Sequence, residues 1–496
     1  MWLSLQRRLL LVRNRRACKL FCRLYCQAAK RDTIFALSSG QGKCGVAVIR
    51  TSGPASCSAL LCMTGIKEPP PPRTATLRKI CDPKSSEILD RGLVLWFPGP
   101  GSFTGEDSVE FQVHGGPAVV RGVLNALGGL PELRFAEPGE FTKRAFQNGK
   151  LDLTAAEGLG DLIHAETEGQ RRQALRQMDG ELGQLYQRWT DTLTKTLAHL
   201  EAYIDFSEDD NIEDGVLVQV ENAVKALEKE LKEHLQDGRR GQRLRDGVHI
   251  AIAGPANAGK SSLLNQLCQK PTAIVSPVAG TTRDVVETAL NISGFPVVLS
   301  DTAGLRETTD MVEMEGVSRA RQRVRDADVV LVILDGKVAA EQPDHLTMSM
   351  EDVLSPDEPN ETQPYLLVLN KMDLLGEEGQ ADLLRTCDRL GVGPACFLSC
   401  KTGDGLTAFL NALQKQLADM CGDPRTGSPS PTQARHQLSL QKCLEALGCF
   451  AEYQLTDLVL AAEQLRVARR QLGRLTGQVG TEELLSIIFK DFCIGK

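Results

Sequence analysis

Gly254-Pro255-Ala256-Asn257-Ala258-Gly259-Lys260-Ser261 constrains the fold of this chain more than any other stretch. It has the spacing G-x-x-x-x-G-K-S/T of a phosphate-binding loop. Before it runs His249 to Ala253, short and apolar, which reads as a buried strand; after it Ser262 to Leu267 reads as a helix start. A strand, a glycine-rich loop and a helix in that order aim backbone N–H groups and the positive end of a helix dipole at an anion. Gly254 and Gly259 let the backbone turn and approach phosphates. Lys260 is placed to neutralise the β- and γ-phosphates, and the Ser261 hydroxyl to reach Mg²⁺. The nucleotide-contacting set on this loop is Asn257, Ala258, Gly259, Lys260, Ser261 and Ser262.

Three companions follow, each after an apolar strand. Asp301-Thr302-Ala303-Gly304 comes after Val297 to Ser300; Asp301 is placed to hold Mg²⁺ through water, and the Gly304 amide to meet the γ-phosphate. Asn370-Lys371-Met372-Asp373 comes after Leu366 to Leu369. Asp373 can accept two hydrogen bonds from guanine N1–H and N2–H₂, which adenine cannot supply. Ser399-Cys400-Lys401 comes after Cys396 to Leu398 and supports the base. Four motifs in this order point to GTP as the nucleotide. Leu305 stands where Ras-like enzymes place a water-orienting glutamine, and leucine cannot do that work. A carboxylate in Arg306 to Glu315 is the expected replacement. The Asn257 amide oxygen and the carbonyls of the loop Ser276 to Asp284 can hold a monovalent cation beside the phosphates, and Thr282 is placed to reach Mg²⁺.

The chain has 496 residues, which predicts two to four domains, and its 42% hydrophobic residues can support sizeable cores. No apolar run has membrane-spanning length. The formal net charge is −7, yet residues 1–31 carry nine Lys/Arg and no Asp or Glu, interleaved with leucines and aromatics. That composition reads as a mitochondrial transit peptide, with a basic RNA-binding arm as the weaker reading; Leu9 to Val12 is too short for a secretory core. Without the leader the chain is more acidic still, so any RNA contact needs a local basic patch. The 15 cysteines show no paired CxxC zinc pattern.

In chain order, residues 32–150 read as a small α+β domain with strands at Thr33–Leu37, Gly45–Arg50, Arg91–Phe97 and Ser108–Val113 and a helix at Ala118–Leu127. Ser102 to Glu110 and Glu137 to Leu153 mix carboxylates, bases and aromatics at loop and helix-start positions, where ligand sites are built. Residues 151–245 are helical in pattern, first Thr154 to Leu200 and then Val216 to Leu235. Arg239 to Arg245 then forms a basic hinge that serves as a linker or an RNA contact. The GTPase-like segment spans 246–420 and includes an acidic stretch, Ala339 to Pro364, that reads as a surface loop. Cys421 to Gln433 reads as a linker. In 421–496, helices are expected at Leu438–Leu447, Leu455–Leu475 and Thr481–Phe489, before the terminal Phe492-Cys493-Ile494-Gly495-Lys496. Helices on both sides suggest that the α/β P-loop segment is inserted into one α-helical domain.

The whole set resembles the MnmE, or TrmE, family of tRNA-modification GTPases, over nearly everything after the leader. Ser102 to Glu110, Pro138 to Leu153, Gly280-Thr281-Thr282-Arg283-Asp284, Asp301 to Arg306 and the terminal Phe-Cys-Ile-Gly-Lys carry the resemblance, and the basic leader points to the mitochondrial branch. The resemblance implies an N-terminal domain similar to folate-binding domains that forms a homodimer and binds 5-formyltetrahydrofolate or a related folate through Arg50, Glu110, Lys150 and Lys496. It implies a K⁺ site at Asn257, Ser276, Val278 and Thr281, Mg²⁺ ligands at Ser261 and Thr282, Glu313 as the catalytic carboxylate, and a modification role for Cys493. It also implies an FAD-dependent partner of the MnmG/GidA type, with mitochondrial tRNA as substrate: a C5 group installed on the wobble uridine, with taurine as the amine in animals, in the mitochondrial matrix. Cys400 replaces the alanine usual in its motif. Taken alone, Cys493 between Phe492 and Ile494 reads as a buried small hydrophobe. The G motifs alone do not reject the alternative of a non-catalytic GTPase switch in mitochondrial ribosome assembly.

Overall fold

The computed structural model describes residues 32–206, 215–269, 287–301, 321–354, 363–392, 395–422, 433–478 and 495. The chain divides into two compact units, Met1–Asp152 with Thr481–Lys496, and Leu153–Gly480.

The first unit is built on a six-stranded sheet. In chain order its elements are β1 (Thr33–Leu37), β2 (Cys44–Ser52), α1 (Ser56–Thr64), β3 (Thr76–Cys81), β4 (Ile88–Phe97), β5 (Ser108–Gly115), α2 (Pro117–Gly128), β6 (Leu133–Phe135) and α3 (Glu140–Gln147). The strand order is β3-β4-β5-β2-β1-β6, with β6 parallel to β1 and the other pairs antiparallel. Side chains alternate between faces along a strand. Ala47 and Ile49 of β2 and Phe111 and Val113 of β5 therefore point into a core with Leu60 and Met63 of α1 and Val123 and Leu127 of α2. The alternate residues Val46 and Arg50, and Glu110 and His114, occupy the other face. The four expected strands and the helix are all present. α1, β3, β6 and α3 were not expected: β3 is an edge strand with two cationic residues, and the other three are short.

Gly495, the one described residue of the last eighteen, is bonded to this unit. The Ser38 hydroxyl donates to the Gly495 carbonyl at 2.9 Å. Gly495 has φ +100°, and a Cβ there would come within 2.1 Å of the Leu37 carbonyl oxygen, so the contact requires glycine.

The second unit begins with α4 (Leu153–His164), α5 (Glu168–Met178), α6 (Glu181–Phe206) and α7 (Gly215–Asp246). The expected run Thr154 to Leu200 is thus three helices. One break is a capping box between Thr167 and Gln170; the other is Gly180, at φ +86°. The expected basic hinge at Arg239 to Arg245 is corrected: these residues form the last turns of α7, where cations suit the negative end of the helix dipole. Two of them anchor the helix, Arg243 Nε on Asp328 Oδ1 at 2.7 Å and Arg245 Nε on Asp161 Oδ1 at 2.9 Å. Gly247 alone, at φ +96°, separates α7 from the next strand.

That strand, β7 (Val248–Ala253), opens an α/β layer continued by α8 (Lys260–Cys268), β8 (Glu287–Ile292), β9 (Phe295–Asp301), β10 (Val329–Asp335), α9 (Gly336–Glu341), α10 (Pro343–Leu354), β11 (Tyr365–Asn370), a 3₁₀ turn (Met372–Leu374), α11 (Glu377–Leu390), β12 (Ala395–Phe397) and α12 (Leu406–Cys421). The sheet order is β12-β11-β10-β7-β9-β8, parallel except for the β8–β9 hairpin. β10 is apolar from Val329 to Leu334 because both its faces are covered. The acidic stretch expected to be a surface loop forms α9 and α10 over most of its length. Leu346, Met350 and Val353 of α10 pack into the core with Val330 and Val332, burial that a solvated loop does not achieve.

Two helices follow, α13 (Ala434–Tyr453), which runs well past both ends of the expected Leu438–Leu447, and α14 (Leu458–Thr476), close to the expected Leu455–Leu475. They share one core with α6 and α7: Tyr186, Trp189 and Leu193, then Val224 and Leu231, meet Leu440, Phe450, Leu465 and Leu472. The expected helix Thr481–Phe489 lies outside the described residues. Among the described residues no helix is long and apolar enough to cross a membrane.

Candidate functional site

Residues 254–259 leave β7 with three left-handed or extended-positive backbones: Gly254 at φ +147°, Asn257 at +63° and Gly259 at +103°. Two of these positions have no room for a side chain. A Cβ on Gly254 would lie 2.1 Å from the Ile333 carbonyl oxygen, and one on Gly259 would lie 2.0 Å from Asn370 Nδ2. The loop is therefore pressed against β10 and against the end of β11. Lys260 starts α8, is 7% exposed, and its ammonium donates to the carbonyls of Gly254 and Pro255 at 2.8 and 2.9 Å. The lysine charge is thus held at the mouth of the loop.

Asn370 joins three motifs. Its Nδ2 donates to the Ala258 carbonyl at 2.8 Å, and its Oδ1 accepts the Cys400 N–H at 3.0 Å. It is 2% exposed, so losing either partner would strand a buried polar group. The Ser399 hydroxyl donates to Asp373 Oδ1 at 2.7 Å and accepts the N–H of Lys401 and of Thr402 at 3.3 and 3.2 Å. Asp373 is thereby oriented by a serine that is itself fixed. Burial pushes the Cys400 thiol up to about 11, so it stays neutral at physiological pH. Its backbone carries the motif's work, the N–H to Asn370 and the carbonyl to Gln266 Nε2 at 3.1 Å.

Asn257, Gly259, Lys260, Ser261, Ser262, Asn370, Lys371, Asp373, Cys400 and Lys401 line one cavity of about 910 Å³, together with Ala256 and Leu374. Ala258 and Ser399 stand behind them through the bonds just described. The cavity lies at the C-terminal ends of parallel strands, where open α/β sheets bind ligands. Ser276, Val278, Thr281, Thr282, Thr302, Ala303, Gly304 and Glu313 lie outside the described residues, as do Cys493 and Lys496. Asp301 closes β9, and its side chain is likewise outside the description. Two residues were missed from sequence. Gln266 holds the Cys400 carbonyl from α8, and Asp335 binds the Lys371 ammonium at 2.7 Å. Asp335 had a usable signal: like Asp301 and Asn370, it ends an apolar strand.

In the first unit, Arg50 and Glu110 are direct cross-strand partners on β2 and β5. Arg50 Nε and Nη2 both donate to Glu110 Oε1, at 3.0 and 2.8 Å. The guanidinium lies 5.6 Å from the Phe103 ring centre and 5.9 Å from that of Phe141. The two mixed-charge segments singled out in the sequence come together here. Arg144 Nη1 donates to Glu106 Oε2 at 3.0 Å, Ser52 Oγ to the same oxygen at 2.8 Å, and Asn148 Nδ2 to the Thr104 carbonyl at 2.7 Å. Lys150 follows the tight turn at Gly149, φ +66°, and its Cγ packs at the position a Cβ on Gly105 would approach to 3.5 Å. Arg50 and Glu110 therefore share one neighbourhood with the rings of Phe103 and Phe141, while Lys150 lies beside Gly105.

A phosphate-loop cradle locked to a cavity lined by a serine-oriented aspartate defines a P-loop protein of the GTPase class. A model of the MnmE helical domain matches residues 153–493, and one described as the GTP-binding protein TrmE N-terminus matches residues 33–150. The chain is 58% identical to the 5-taurinomethyluridine-tRNA synthase subunit GTPB3, mitochondrial, of Danio rerio, over 96% of this chain and 95% of that protein. It is 60% identical to the Homo sapiens protein of the same name over 94% and 93% of the two chains. It is 48% identical to the tRNA modification GTPase MnmE of Parvibaculum lavamentivorans over 94% of this chain and all of the other. The chain belongs to the MnmE/TrmE family.

Proposed function

We propose that this chain is a potassium-stimulated GTPase that acts with an FAD-dependent, MnmG-like partner to modify C5 of the wobble uridine of mitochondrial tRNAs, forming 5-taurinomethyluridine from a folate one-carbon unit. The observation that carries this reading is the extent of the family match. It runs through the N-terminal unit and the flanking helices as well as the nucleotide site. A bare switch in ribosome assembly, the alternative, has no use for those parts.

The roles divide among the chain's own groups. The loop from Asn257 to Ser262 cradles the phosphates; Asn370, Lys371, Asp373 and Ser399 to Lys401 hold the base. Ser261 and Thr282 are the Mg²⁺ ligands, and Asn257, Ser276, Val278 and Thr281 the potassium ligands. The described members of these sets fit: Ser261 sits on the first turn of α8 and Asn257 on the turn before it. Bound there, the two cations would offset charge that develops on the phosphates. Glu313 takes the proton of the attacking water, in place of the glutamine that Leu305 excludes. Arg50, Glu110, Lys150 and Lys496 bind the folate, and the acceptor, guanidinium and aromatic faces at the first two suit a flat, polar-edged ring. Cys493 serves the tRNA chemistry. The domain bounds that accompany this reading are a matrix-targeting leader at 1–31, a folate-binding and dimerising domain at 32–150, and a helical domain of 151–245 and 421–496 into which the GTPase domain, 246–420, is inserted.

The test is mass spectrometry of wobble uridines in mitochondrial tRNA from cells lacking the chain, restored with wild type or Cys493→Ser. Loss of taurinomethyluridine, restored by wild type alone, is the expected result; persistence of the modification without the chain refutes the reading. In the purified protein, Glu313→Ala is expected to keep GTP binding and lose most turnover, and full turnover would remove Glu313 from the mechanism.

A further inference from the structure

Asp335 closes β10 and lies directly across the sheet from Asn370, the residue before Lys371. Its carboxylate has two partners. Oδ2 accepts from the Lys371 ammonium at 2.7 Å, and Oδ1 accepts the N–H of Lys337, capping α9. Lys371 lines the nucleotide cavity, whereas Asp335 is not among the residues lining it. The pair is largely shielded, with the two side chains 33% and 21% exposed.

The physical consequence follows from what a lysine is. Its side chain carries about 2 kcal/mol of rotamer entropy, and a ligand that must first immobilise it binds less tightly. Lys371 also holds a left-handed backbone, φ +64°, which a non-glycine residue adopts only when its surroundings enforce it. Two residues on, in the same turn, stands Asp373, which would compete for a Lys371 ammonium released from Asp335. As the structure stands, Lys371 is engaged by Asp335 and Asp373 by the Ser399 hydroxyl. The two acid groups are thus kept to separate partners.

We propose that Asp335 is a positioning residue for guanine-nucleotide binding: it fixes Lys371 in the cavity wall and keeps it from pairing with the base-reading Asp373. This rests on the GTPase reading and adds a residue outside the four nucleotide motifs.

The experiment is a double-mutant cycle on the full chain, read by titration with fluorescent GDP. Asp335→Asn keeps an oxygen for the Lys337 N–H but removes the negative charge. It is expected to weaken GDP about tenfold in the wild-type background and by less than about twofold in the Lys371→Ala background. Equal losses in the two backgrounds would reduce Asp335 to a cap for α9 and overturn the proposal, as would wild-type affinity in Asp335→Asn. Should that variant fail to fold, Asp335→Ser, which also caps a helix, carries the same comparison. Failure of the wild-type chain itself to bind GDP would strike the guanine-nucleotide reading instead.

Discussion

Glu140 lies between two guanidinium groups. Arg134 reaches it at 2.6 and 2.8 Å and Arg144 at 3.0 Å. Burial works against its charge, but the bond from Arg134, then the Glu137 N–H and Arg144, outweigh burial and hold the carboxyl at about 2. Because the folded value is depressed below the ordinary 4.5, its stabilisation is fully present above pH 4.5 and is lost as the pH falls toward 2. Glu140→Gln is therefore expected to destabilise the chain by about 1–2 kcal/mol at neutral pH and to flatten the acid side of the thermal-unfolding profile, recorded from pH 7 to 2. An unchanged profile would show that the carboxylate does not matter. None of this pairing was legible in the sequence. Glu137 to Leu153 stood out as mixed in charge, but a chain does not say which base meets which acid. The nucleotide residues were legible because each sits in a short motif at a strand end, where local order fixes the role. Asp335 escaped because its partner lies one strand away.

At the scale of elements, most strands and helices followed from apolar periodicity, and the departures have physical reasons. Basic residues at the end of α7 looked like a hinge because charge runs often mark linkers; Asp328 and Asp161, which pin them, lie about 80 residues away in sequence. The acidic stretch carrying α9 and α10 looked like a loop because its charges hid the spacing of Leu346, Met350 and Val353. The contact between α5 and the β8–β9 hairpin could not be foreseen. There the Gly169 N–H donates to the Gly294 carbonyl at 3.0 Å, and a Cβ on Gly169 would meet that oxygen and Leu244 Cδ1 at 2.9 Å each. Gly169→Ala is expected to destabilise by about 1–3 kcal/mol, since a backbone carbonyl cannot step aside. Gly448→Ala, in α13 with open space around it, is expected to stabilise by about 0.5–1 kcal/mol. Thermal denaturation of the two variants beside wild type checks both signs.

Across the molecule, the sequence suggested that helices on both sides of the α/β layer form one domain but not how they pack. Periodicity showed apolar helix faces on both sides, but not which of their residues meet in the four-helix core. Phe450 is 2% exposed in that core. Phe450→Ala is expected to cost about 3–5 kcal/mol. Hydrogen exchange should quicken together in α6, α7, α13 and α14 while β7 to β12 keep their protection. Loss confined to α13 and α14 would mean that the two pairs do not stand or fall together. The arrangement also sets a timetable for synthesis. Between the end of α7 at Asp246 and the start of α13 at Ala434 the ribosome must make nearly 190 residues, which takes about 10–40 s at ordinary elongation rates. For that interval the newborn α6 and α7 carry an apolar face whose covering helices do not yet exist. A chain stalled within that window therefore presents a sticky surface to the cell, and a stop codon between Asp246 and Ala434 leaves it uncovered for good.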